Sequence, residues 1–93
     1  MNSEDMKYMP DNLETSITEG KIESQIVKEE FVRIGEKTTV CLLTLRNGFE
    51  IVGVSACVDP KNFDEEKGRY WARKEAFEQI WKLEGYVLAK EMI

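Results

Sequence analysis

The chain has 93 residues, with 13 Lys and Arg against 18 Asp and Glu, no histidine and two cysteines. That length accommodates one small domain, the lack of His excludes His-based triads, and two Cys cannot supply a four-Cys zinc site within one chain. No run of about 18 apolar residues exists to span a membrane, and the first residues lack the basic start and apolar stretch of a secretory signal.

Charge is unevenly placed. Residues 1–20 carry Glu4, Asp5, Asp11, Glu14 and Glu19 against Lys7, a net of −4, whereas residues 21–93 hold 12 basic and 13 acidic side chains. Residues 1–17 therefore read as a flexible acidic arm, without the apolar period of a stable helix. Met6, Tyr8, Met9 and Leu13 offer the alternative of a partner-binding or inter-subunit arm. Residues 18–93 form the single domain.

Thr18 is placed to cap a helix over about Glu19–Glu29, with Ile22, Ile26 and Val27 on one stripe. Glu30–Ile34 reads as a short strand or as the exit from that helix, ending at Gly35. Thr38–Leu45 and Glu50–Val58 are β-branched and apolar runs around Arg46-Asn47-Gly48-Phe49, and Asn-Gly between such runs marks a hairpin. A two-residue turn at Asn47-Gly48 pairs Cys41 with Val54 and puts Cys41, Leu43, Leu45, Val52 and Val54 on one face. Val40, Leu42, Phe49, Ile51 and Cys57 take the other. Both faces are apolar, so helices on two sides, or a second subunit, are expected to cover them.

Asp59-Pro60 reads as a helix cap followed by Pro in the first turn, and Asp64 as the cap of a long helix to about Leu83. Ala72, Ala76, Ile80 and Leu83 make one stripe, with Tyr70, Phe77 and Trp81 beside it. Gly85 reads as a stop before a terminal helix. The fold class is α+β: helix, antiparallel β-hairpin and long C-terminal helix (α-β-β-α), with room for an extra edge strand and with an oligomeric interface. Gly53 in a strand and Gly68 in a helix break local propensity and point to close backbone approach, either within the chain or across an interface.

Few residues offer chemistry. In the expected register Cys41 and Cys57 point to opposite faces, so they read as buried reduced thiols, with a reactive Cys57 as the alternative. Asp59, Asp64, Glu65 and Glu66 suit helix starts better than a hard-metal site. Lys67, Arg69, Arg73 and Lys74 lie near Tyr70 and Trp71. Arg69 and Arg73, spaced i, i+4, can grip a phosphate or carboxylate, or simply pair with neighbouring acids. A ligand site would combine Arg69, Arg73, Tyr70 and Trp71 with Ser55, Asp59 and Asn62. No catalytic residue, metal ligand or cofactor motif stands out, and without His few general bases work near neutral pH. The nearly neutral body gives duplex DNA little to hold.

The stretch TVCLLTLRNGFEIVGVSACVDPKNFDEEKGR (Thr39–Arg69), followed by WKLEGYVLA (Trp81–Ala89), resembles a family of small phage and prophage proteins of unknown role. That family is known by gene product 49 of one coliphage and gene product 66 of another. The helix carrying Ile22, Ile26 and Phe31 is also similar. The resemblance implies a viral accessory protein in the host bacterial cytoplasm, with reduced cysteines, and supplies no catalytic residues. The expected function is non-enzymatic binding as a homo-oligomer that counteracts or redirects a host process, such as a defence. Its partners would be a second copy of itself and a host protein. The alternatives are sequestration of a small anionic nucleotide at a subunit interface, a minor enzyme, and a virion component.

Overall fold

The Thr18 hydroxyl accepts from the Lys21 N–H at 3.2 Å and starts α1 (Glu19–Glu23). The computed structural model describes residues 17–92, so apart from Ile17 the acidic arm lies outside the described residues. Helix α1 ends after five residues, and β1 (Ile26–Ile34) takes over. The helix expected over Glu19–Glu29 is thus corrected: Ile26 and Val27 belong to a nine-residue strand. A short, highly charged helix has little stability of its own. Pairing with β2 (Thr38–Leu45) instead satisfies backbone groups on both strands.

Strands β1, β2 and β3 (Glu50–Ala56) form one antiparallel sheet in that order. The hairpin is as expected, but its register is shifted by one residue. Cys41 faces Gly53, Leu42 faces Val52 and Leu43 faces Ile51. The Leu45 N–H donates to Phe49 O and the Gly48 N–H to Leu45 O, each at 2.9 Å. Only Gly48 in this loop has positive φ, at 87°. This is the three-residue type I turn closed by a left-handed glycine, not the two-residue turn with both central residues at positive φ. One residue of shift exchanges the two faces of β3. Ile51 and Gly53 therefore point inward with Cys41, Leu43 and Leu45, while Val52 and Val54 point outward with Val40 and Leu42.

The chain then passes through a single 3-10 turn (Pro60–Asn62), capped by Asp59, to α2 (Glu65–Glu91). Asp64 caps α2 by accepting from the Lys67 N–H at 3.1 Å. At 27 residues, α2 is about 40 Å long. It runs through Gly85, so the stop and the separate terminal helix expected there are corrected. Gly85 has no positive φ and is an ordinary helical residue.

Helix α2 covers most of the inner face of the sheet, and Ile17 and Ile22 join it there. Ala72, Ala76 and Ile80 are buried in one core with Ile17, Ile22, Cys41, Leu43, Leu45 and Ile51. Leu83, Tyr70, Val52 and Val54 are exposed, whereas Phe77 and Trp81 pack against the core. The two close-approach glycines are explained within the chain. Gly53 lies directly beneath Ala72 and Ala76, and Gly68 lies against Thr39. No element among the described residues covers the outer face of the sheet, which leaves the expectation of helices on both sides unmet.

The sheet edges differ. The Val54 N–H donates to Glu75 Oε2, and Gln79 Nε2 donates to Val52 O, both at 2.7 Å. Helix α2 thus caps the free edge of β3 and blocks the backbone groups another strand would pair with. Strand β1 relies on charge instead, through Lys28, Glu29, Glu30 and Arg33.

In the observed register Cys57, whose N–H donates to Lys37 O at 3.0 Å, shares the strand parity of Cys41 rather than opposing it. The two are four residues apart along the sheet, roughly 13 Å, too far for a disulfide. Both thiols are free; Cys41 is buried and Cys57 half-buried, its Sγ donating to Asp59 O at 3.2 Å. Burial pushes the Cys41 thiol up from 9.0 to about 11, Glu29 adds to the rise and Arg73 opposes it. The folded state therefore favours the protonated thiol. The resulting stability is complete below about pH 9 and is lost as pH rises toward 11. A thiol reagent at pH 8 is expected to label Cys57 and to reach Cys41 only on unfolding, as read by mass spectrometry of the labelled peptides.

Candidate functional site

The residues expected to form one ligand site fall into three groups. Arg69 and Arg73 share the flank of α2 that faces β1. Arg73 Nε donates to Glu29 Oε2 at 2.8 Å and its NH2 group to Glu23 Oε1 at 2.6 Å. One guanidinium therefore ties α2 to both β1 and α1. Its hydrogen bonds to Glu29 and then Glu23 raise its pKa above the usual arginine value. Arg69 pairs with Glu65 one turn earlier at 2.7 Å and lies over the Phe31 ring at 5.3 Å. Neither arginine stands free, and an anion approaching Arg73 meets two carboxylates first.

An open cleft of about 270 Å³ borders Arg73, lined by Glu23, Ile26, Val27, Lys28 and Glu29. It forms where the β1–β2 register shifts between Ile26 and Lys28, a bulge that leaves Val27 unpaired and exposed. Arg73→Ala is expected to lower stability by about 1–2 kcal/mol, because it leaves two partly buried carboxylates unpaired. Arg73→Lys is expected to recover less than half of that, since a single ammonium cannot reproduce the planar fork. Urea titration of the three proteins checks both.

Tyr70 and Trp71 form the second group. Their rings meet edge to face at 5.1 Å, and Lys74 Nζ lies 5.1 Å over the Trp71 ring. Both aromatics are more than half exposed. Trp71 precedes Glu75 by one turn and so shares the β3 flank of α2, away from the two arginines. This makes an aromatic and cationic patch on the outside of the helix.

Ser55, Asp59 and Asn62 make the third group, near the start of α2. Ser55 pairs with Thr39, against which Gly68 is packed. Asp59 Oδ1 accepts from the Lys61 N–H at 3.0 Å, and the Asn62 N–H donates to Asp59 O at 2.9 Å. The connector is held down by Lys37 Nζ on Val58 O at 3.2 Å and by Arg33 stacked 3.9 Å over Phe63. Asp59 and Asp64 act as caps here. Among the described residues no group of three or more Cys, Asp or Glu could hold a metal ion, and no helix is long and apolar enough to cross a membrane.

What the sequence reading misses is the pair of acidic partners of Arg73, Glu23 and Glu29. The i, i+3 spacing of Trp71 and Lys74 already signals their contact. Extending the short strand expected over Glu30–Ile34 back through Lys28 and Glu29, with period two, places Glu29 and Val32 on opposite faces.

The outcome is a small α+β chain whose distinguishing features are surfaces: an aromatic helix flank, a paired-charge cleft and a bare sheet face. The chain belongs to the phage protein (N4 Gp49/phage Sf6 gene 66) family, whose model matches residues 17–92, in agreement with the resemblance seen in Thr39–Ala89. No curated protein and no solved structure matches it.

Proposed function

We propose that this phage protein acts without catalysis, as a homo-oligomeric binding protein that docks onto a host protein and blocks or redirects it. The observation that supports this reading is the exposed Tyr70–Trp71–Lys74 patch on α2. Exposed Trp and Tyr provide large contact area at low entropic cost and are enriched among the residues that dominate interface energetics, and Lys74 adds a cation beside the Trp71 ring. Their exposure leaves the sheet-facing side of α2 untouched, so docking there requires no unfolding. A host defence component is the kind of target a phage accessory protein would meet in the bacterial cytoplasm.

Trp71→Ala tests this directly. A host protein that co-purifies with the tagged wild-type chain from infected cells is expected to bind it directly when purified. Trp71→Ala should weaken that binding by about tenfold or more, with unchanged circular dichroism. Equal binding by the variant would overturn the assignment of this patch. The nucleotide-sequestering alternative would need Arg69 and Arg73 released from Glu65, Glu23 and Glu29. Calorimetry against cyclic and linear nucleotides is expected to be silent, and heat that disappears in Arg69→Ala would favour that alternative instead.

A further inference from the structure

The outer face of the sheet has a pattern that suggests its occupant. Its twelve positions fall in four rows across β1, β2 and β3: Ile34–Thr38–Ala56, Val32–Val40–Val54, Glu30–Leu42–Val52 and Lys28–Thr44–Glu50. Seven of the twelve are apolar and contiguous, and Val32, Ile34, Val52 and Val54 are about half exposed. A solvated antiparallel face carries polar residues at such positions. The charged row lies at one end only, with its cation on β1 and an anion on β3. Edge-to-edge growth of the sheet is opposed on both sides, by Glu75 and Gln79 on β3 and by the charges of β1. Among the described residues, this face is the part of the sheet left to bury.

We propose that this face closes against the same face of a second copy, about a two-fold axis parallel to β2. The proposal rests on the reading of the chain as a homo-oligomer and adds the interface. Such an axis lays β1 of one copy over β3 of the other and keeps each row opposite itself. Leu42 and Val40 then meet their own counterparts, Val32 meets Val54, and Ile34 meets Ala56. Lys28 of each copy faces Glu50 of the other, giving two symmetric ion pairs at the rim. The alternative axis, perpendicular to the strands, would put the Lys28 row over the Ile34 row and bury charge against aliphatic side chains. A slight tilt of the axis away from β2 gives the crossing of about 30° that is standard for aligned sheet-on-sheet packing, and the resulting offset is within reach of a lysine side chain. Glu30, already 3.6 Å from Lys28 in its own chain, sits on the edge strand and can turn to solvent.

Strand spacing and rise give a face of roughly 14 by 27 Å. That is comparable to the largest apolar patches on monomers and smaller than a standard interface. A dimer closed by so small a face is expected to be weak and concentration-dependent.

Sedimentation equilibrium on the full chain, from low to high micromolar concentration, tests the arrangement. The wild type should dimerise. Val54→Lys should weaken the dimer by about a hundredfold, because it buries two ammonium groups against Val32. Lys28→Glu should weaken it by about tenfold, and adding Glu50→Lys should restore it to within about threefold. Circular dichroism and thermal melts confirm that each variant folds, and the charge exchange needs no change in the core. A dimer unaffected by Val54→Lys, or a charge exchange that fails to restore binding, would overturn this interface while leaving the homo-oligomer reading intact. A wild type that stays monomeric throughout would overturn both.

Discussion

Gly53→Ala is expected to destabilise the fold by about 3 kcal/mol or more, since of the glycines among the described residues it is the most tightly enclosed. A Cβ at this position would lie 2.5 Å from Ala76 N and 2.8 Å from Ala76 Cβ, and closer still to the Ala72 carbonyl oxygen. Two of those three obstacles are backbone atoms of α2, so no rotamer change relieves them. The helix would have to lift from the sheet along its central turns and would lose contact with Cys41, Leu43 and Ile51 in the same core. Glu75 and Gln79 lie on those turns, so the cap on the β3 edge would loosen too. Chemical denaturation should show a lower midpoint, and the uncapped edge should make the variant more prone to aggregate at high concentration. A midpoint within error of wild type would contradict the close helix–strand contact.

Leu43→Ala is expected to cost about 3–5 kcal/mol, in the upper part of the range for buried leucine truncations. Leu43 is fully buried in the central strand, opposite Ile51 on one side and Glu29 on the other. The cost of such a truncation depends on how far the surroundings can collapse into the space. Here α2 already rests on Gly53 through Ala72 and Ala76, and small residues in contact with backbone cannot move closer. The cavity therefore persists. Urea unfolding of Leu43→Ala beside Leu42→Ala makes an internal comparison, since Leu42 lies on the outer face one residue away. At concentrations where the chain is monomeric, Leu42→Ala should cost about 1 kcal/mol. Equal losses at the two positions would mean that the two faces of β2 are not distinguished as the register requires.

Both predictions depend on a feature read correctly from residues and on another read incorrectly. A glycine within an otherwise apolar strand pointed to a close backbone approach, and it is found against α2. The register that decides which residues accompany it inward was not legible, because Asn-Gly serves both two-residue and three-residue loops. The choice shows only in the side chains and backbone around it. Asn47 Oδ1 accepts the Phe49 N–H at 3.0 Å. Arg46 donates from its N–H to Gln25 O at 2.9 Å and from Nε to Ser24 O at 2.8 Å. Those last two contacts span more than twenty residues and anchor the loop to the start of β1. Local sequence contains no trace of them. The same limit applies to Ile26 and Val27, whose spacing from Ile22 suits a helix until the edge of β2 is present to pair with them.

The candidate site divides along similar lines. Arg69 and Arg73 share a flank of α2, as their i, i+4 spacing requires. Arg73, however, is occupied by Glu23 and Glu29, which lie fifty and forty-four residues earlier in the chain. Trp71 falls on the other flank, and Asp59 and Asn62 are drawn into the connector that caps the start of α2. A linear cluster of cations and aromatics is thereby split into an internal clip and an external patch.

By itself, the sequence determined the elements whose signals are local: the Thr18, Asp59 and Asp64 caps, the hairpin around Asn47-Gly48, the inner stripe of α2 and membership in a phage protein family. It also determined that a hairpin apolar on both faces has more surface to bury than one helix can cover. Only the tertiary structure decided which valines face outward, that β1 is a strand, and that Arg73 belongs to two carboxylates. The physical reason is common to all three. Each depends on which distant backbone or charge a residue meets once the chain has closed on itself, and a one-residue change in pairing exchanges one face of a strand for the other.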